Sequence, residues 1–100
     1  MRFATCEVIR TPAEFIGPFI RCVDGYVQVF AHIRASTVDE HFGIRSASNA
    51  DRQGIIARLT GSLNALIAAK YERGEYCLWP IKAPQYPLVT LLTSDLAALR

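Results

Sequence analysis

No two cysteines of this chain stand at ligand or redox spacing. Cys6, Cys22 and Cys77 are odd in number and far apart, with no CxxC among them. Such a set builds neither a disulfide framework nor a zinc site, and it fits free thiols in a reducing cytoplasm. No apolar run reaches the roughly 18 residues that a membrane-spanning helix needs, and Met1-Arg2-Phe3-Ala4 opens no signal-peptide core. Glycine-rich phosphate loops are missing, because Gly17, Gly25 and Gly43 are isolated and each is placed for a turn or a helix end. Neither the serines nor Cys77 carries a local nucleophile signature. The formal charge of +2 is too small to demand a nucleic acid partner.

What remains is an ordinary globular composition, 51% apolar and 20% charged, of a size that fits one domain over 1–100. Residues 1–18 read as an N-terminal extension and 80–87 as a proline-rich loop, with Pro80, Pro84 and Pro87 keeping it out of any sheet interior. The expected location is cytoplasmic.

The one long periodic stretch is Ser48–Gly74. Ile55, Ile56, Leu59, Leu63, Leu66 and Ile67 recur at helical spacing and share one side of a wheel. Ser48 and Asp51 have the form of a capping box, and Gly74 stands where a left-handed terminating residue belongs. These signals predict one amphipathic helix over about 49–73.

Before it, residues 2–10 lean towards a strand. Thr11-Pro12-Ala13-Glu14 has the form of a capped helix start that Gly17-Pro18 would stop after a single turn. Asp24-Gly25 between Phe19–Val23 and Tyr26–Arg34 signals a hairpin. A two-residue loop there sets Cys22 opposite Val27 and Ile20 opposite Val29. One face then carries Ile20, Cys22, Val27, Val29, Ala31 and Ile33 and is the core face. The other carries Phe19, Arg21, Val23, Tyr26, Gln28, Phe30 and His32, with Phe19 beside Phe30. It is only half polar, so something is expected to cover part of it.

Ser36 and Asp39 form another capping-box pattern, opening a short helix over 36–42 that Gly43 ends. After Gly74, Tyr76–Trp79 and Leu88–Leu92 read as strands, and Thr93-Ser94-Asp95 caps a final turn with Leu96 and Leu99. The fold expected is α+β: an antiparallel sheet, made of the 19–34 hairpin and the C-terminal strands, packed on the long helix, with 36–42 as a crossover.

The runs VDGYVQVFAHIRASTVDEHFG, KYERG and LLTSDL resemble the small bacterial family known as domain of unknown function 1488. Asp24, Gly25, Val27, Val29 and Ile33 carry the resemblance in the hairpin, and Val38, Asp39, His41, Phe42 and Gly43 in the short helix. Tyr71, Gly74 and Leu92–Leu96 carry it at the end. It covers roughly residues 19–96; the stretch Trp79–Pro87 is longer than expected and 1–18 has no counterpart. The resemblance implies a compact α+β domain in a bacterial or phage setting, and no activity.

Three groups of side chains are candidates for function. Asp39-Glu40-His41 is the densest titratable cluster, and with His32 it is the basis for an enzyme reading, in which an imidazole acts near neutral pH. Neighbours on a helix point about 100° apart, however, and the acids already suit the positive helix N-terminus. His32 and Cys22 fall on opposite hairpin faces and so share no metal. No catalytic residue, cofactor or metal is assigned. Arg21, Arg34, Arg45, Arg52 and Arg58, with Tyr26, Phe30 and His32 nearby, are the basis for a nucleic acid accessory protein; Asp39, Glu40 and Asp51 among them weaken any field of one sign. The third group is a stripe of very small residues opposite the bulky face of the long helix: Gly54, Ala57, Gly61, Ala65 and Ala68. Small side chains there let another backbone approach closely. The favoured expectation is therefore a non-enzymatic interaction module, self-associating as a homodimer or binding a protein partner. Its contact surface is the small-residue stripe or the Phe19/Tyr26/Phe30 face.

Overall fold

The computed structural model describes residues 2–44 and 48–99. Three strands come first: β1 (Thr5–Ile9), β2 (Phe19–Asp24) and β3 (Val27–Ile33). Three helices follow, α1 (Ala35–Phe42), α2 (Asn49–Ala57) and α3 (Thr60–Glu72), then β4 (Cys77–Trp79), β5 (Tyr86–Leu91) and the single turn α4 (Thr93–Leu96). The strands make one sheet in the order β1-β2-β3-β5-β4. The fold is α+β, a sheet packed against helices.

Every neighbouring pair in the sheet is antiparallel except one. β5 enters between β3 and β4 and runs parallel to β3, Phe30 beside Leu88 and Ile33 beside Leu91. The expected antiparallel sheet is therefore mixed at this joint. After the helical segment from α1 to α3, the short β4 runs antiparallel to β5 and carries the chain back to the starting end of β3, where β5 begins.

The stretch expected as an extension supplies β1, an edge strand that pairs along its whole length with β2. The hairpin turn lies one residue further on than expected. Asp24 pairs with Val27, and the tip is Gly25-Tyr26, with Gly25 at φ +61°. Cys22 therefore faces Val29 and Ile20 faces Ala31. A shift of two in the pairing leaves the faces unchanged. Ile20, Cys22, Val29, Ala31 and Ile33 are fully buried with Val89 and Leu91 under Val38, Ile56, Leu63, Ile67, Ala68 and Leu96. Val27, at the strand's start, is exposed.

The long helix is two helices. Ser48 and Asp51 form the expected capping box at the start of α2, and Gly74 takes φ +75° beyond α3. Between them the helix breaks at Arg58 and Leu59. The Thr60 hydroxyl donates to the Ala57 carbonyl, and Arg2 donates to Gly61 O at 3.0 Å. Straight, the segment would run about 36 Å, nearly the molecule's longest dimension of 37 Å. Across the break α2 and α3 both pack on β1 and α3 also reaches β5, with Ile56 and Leu63 both in the core.

Two further caps differ. α1 starts one residue early, at Ala35, so its N-cap position falls on Arg34, which makes no side-chain cap, and Ser36 lies inside the first turn; the Asp39 carboxylate is engaged by Arg52. Thr11–Glu14 makes no helix; Phe15 N donates to Pro12 O at 3.0 Å, closing a tight turn. Tyr86 and Pro87 belong to β5, so the proline-rich loop spans 80–85.

Candidate functional site

All of the longer helices lie over one face of the sheet. The opposite face carries Phe19, Phe30 and Leu88, and among the described residues Ile9, Phe15, Trp79 and Tyr86 pack against it. Phe19 and Phe30 are neighbours as expected, with ring centres 5.6 Å apart. Phe15 closes over Phe19 at 5.0 Å and meets Trp79 edge-on at 5.7 Å, while Trp79 and Tyr86 pack edge-on against Phe30. The cover predicted for this half-polar face is thus aromatic and comes from the chain itself.

The covering segment is held by backbone bonds. Ile33 N donates to Pro18 O at 3.1 Å and Ala35 N to Ile16 O at 3.0 Å, while the Thr11 hydroxyl donates to Gly17 O. Gly17 has φ +126°, and a Cβ on it would lie 2.1 Å from Ile33 O. Only glycine fits between these two strands of backbone.

Glu14 and Phe15 are shared by two clefts. One, of about 690 Å³, is lined by Ile16, His32, Arg34, Ser36, Cys77 and Thr90 among others. The second, of about 650 Å³, is lined by Trp79, Pro80, Ile81 and Lys82. Ile16 is 76% exposed and Ile81 92%. His32 is buried at the first cleft's edge, with Nε2 3.3 Å from Ile16 O. Burial holds its pKa below the ordinary histidine value, the Ile16 carbonyl works in the opposite direction, and the Arg34 charge adds to the lowering.

The residues singled out from sequence are distributed differently. Phe19 and Phe30 are buried, and Tyr26 is fully exposed at the hairpin tip, so these three make no common contact surface. In the small-residue stripe, Gly54, Ala57, Gly61 and Ala65 are exposed, but Ala68 is in the core and the break at 58–59 divides the row. Of the arginines, Arg21 pairs with Glu7, and Arg52 grips Asp39 through two bonds of 2.8 Å. Arg58 bonds Gly54 O, Arg34 lies at the first cleft, and Arg45 is outside the described residues. The Arg52 guanidinium holds the Asp39 carboxyl below its usual range. The His41 ring lies edge-on against Phe42, 4.7 Å between ring centres. Among the described residues, no three histidine, cysteine or acidic side chains converge to hold a metal ion.

The clefts themselves were not legible in the sequence. Their walls come from four separate segments, and the only local signal is a phenylalanine and an isoleucine placed directly before Gly17-Pro18. No protein-family model, curated protein or solved structure matches the chain.

Proposed function

We propose that the chain is a non-enzymatic interaction module that self-associates through the sheet face turned away from its helices. A two-fold contact uses the same patch on both partners, so the patch must complement itself. The carrying observation is the pair of clefts that share Glu14 and Phe15, each with an exposed isoleucine, Ile16 in one and Ile81 in the other. Exposed apolar side chain and hollow lie side by side, which lets an isoleucine of one copy enter the cleft of another. The linings also carry both signs of charge, Glu14 in both clefts with Arg34 in one and Lys82 in the other. This face fits the role better than the helix stripe, which is divided and partly internal.

Light scattering of the purified chain over the micromolar range tests the reading. The expected result is a mass twice that of the chain, falling to the single-chain value in Ile16→Glu and Ile81→Glu. Both substitutions are at exposed positions, so melting curves should stay close to wild type. A wild-type mass equal to one chain at every concentration would sink the proposal. Doubling that survives both glutamates but is lost in Ala65→Glu would move the contact to the helix stripe.

A further inference from the structure

Cys6 and Cys22, sixteen positions apart, are directly opposite one another on adjacent antiparallel strands. Their sulfur atoms lie 2.8 Å apart, and both are free thiols. Facing residues in an antiparallel pair have Cα atoms about 4.5–5.5 Å apart, inside the range of about 4.4–6.8 Å that a disulfide spans. The backbone therefore already holds the geometry that the covalent bond requires. We propose that Cys6 and Cys22 are a redox pair that a small-molecule disulfide oxidises to a strand-to-strand disulfide.

Burial fixes the order of events. Cys22 is completely buried on the core face, whereas Cys6 is only half-buried and lies on the edge strand. An incoming disulfide therefore meets Cys6 first. The Cys6 thiolate attacks one sulfur of the reagent, the reagent's S–S bond breaks, and one small thiolate leaves and takes up a proton. Cys22 then gives up its proton as its sulfur attacks the sulfur of Cys6, and the second small thiol departs with that proton. Two protein thiols are oxidised and one small disulfide is reduced to two thiols. Burial raises both thiols above their ordinary range and slows the exchange at neutral pH, while the hydrogen bond with Cys22 and then the Arg2 charge partly offset this at Cys6.

The new bond would close the ring of chain that contains Glu14, Phe15 and Ile16, tying both ends of the segment that walls the two clefts. It would also restrain the unfolded chain, so oxidation should raise the unfolding midpoint. The pairing stands whether or not the chain self-associates.

The test treats folded protein with oxidised glutathione, then quenches, unfolds, alkylates and maps it. The expected product has lost two hydrogens, retains one alkylatable cysteine, joins Cys6 to Cys22 in the peptide map and melts higher than reduced protein. Cys77→Ser should give the same bond and Cys6→Ser should give none. The chain unfolded before oxidation should give a mixture of pairings. Retention of all three thiols by the folded wild type, a stable glutathione adduct on Cys6, or a bond to Cys77 would each overturn the proposal.

Discussion

Asn64 bonds both backbone groups of Phe3, accepting from its N–H at 2.8 Å and donating to its carbonyl at 2.9 Å. One carboxamide on α3 thus does for the chain's start what a neighbouring strand would do, and it seats the Phe3 ring beside Tyr71. Asn64→Leu fills similar space but leaves two buried backbone groups unpaired. Its expected cost is about 2 kcal/mol in urea unfolding, with β1 amides exchanging faster than those of β3.

A charge pair with its lysine buried and its aspartate half-buried joins α3 to the end of the sheet. Lys70 Nζ donates to Asp95 Oδ2 at 2.7 Å and to Thr90 O at 3.1 Å, and the same Asp95 oxygen accepts Leu92 N. Asp95→Ala strands a buried ammonium and should cost about 3 kcal/mol or more. Lys70→Met combined with Asp95→Ala should recover part of that loss. Denaturant midpoints of the single and double variants give the coupling directly.

Two glycines should answer substitution with opposite sign. At Gly17 an added methyl meets backbone at 2.1 Å in a left-handed conformation, so Gly17→Ala should cost at least about 3 kcal/mol. At Gly54, within α2, a methyl meets nothing within 4 Å. Gly54→Ala should stabilise the fold by about 0.5–1 kcal/mol. Thermal melts of both variants check the pair.

Acid should lower the stability of the fold in two stages. The folded-state pKa of His32 is lowered from 6.5, chiefly by burial, so the unfolded chain takes up this proton first. Stability present above that value is lost as pH falls through the window below it. Asp39, bonded to Arg52, and Asp51, bonded to Ser48, have pKa values lowered from 3.8, so their contribution is lost only below that value. Melting temperature against pH should therefore show two descents, and His32→Asn should flatten the upper one.

What could be read in advance follows from how local each cause is. Ser48 caps α2 through a bond to a residue three positions away, and Gly74 and Gly43 end helices by their own φ angles. Such features need no knowledge of the rest of the fold. The hairpin faces were legible because alternation survives a shift of two, whereas the pairing was not, since Asp24 sat equally well in the loop or the strand. The break before Thr60 was hidden because the apolar period runs straight through it. Asp39 looked like a cap until Arg52 was brought beside it by the packing of α2 on α1. The clefts, the Cys6–Cys22 apposition and the Asn64 clasp all join residues distant in sequence, where spacing carries no signal.

The parallel joint between β3 and β5 has a kinetic consequence. β1, β2 and β3 form by short-range pairing, but the far side of β3 must wait for a strand more than fifty residues later. Closing a loop of that length is slow compared with making a hairpin. During that interval β3 presents an unpaired edge with Val29, Phe30 and Ala31 along it, apolar residues that the finished fold buries. A newly made chain is thus most open to pairing with its neighbours before β5 arrives, and any stall in making residues 86–91 prolongs the hazard.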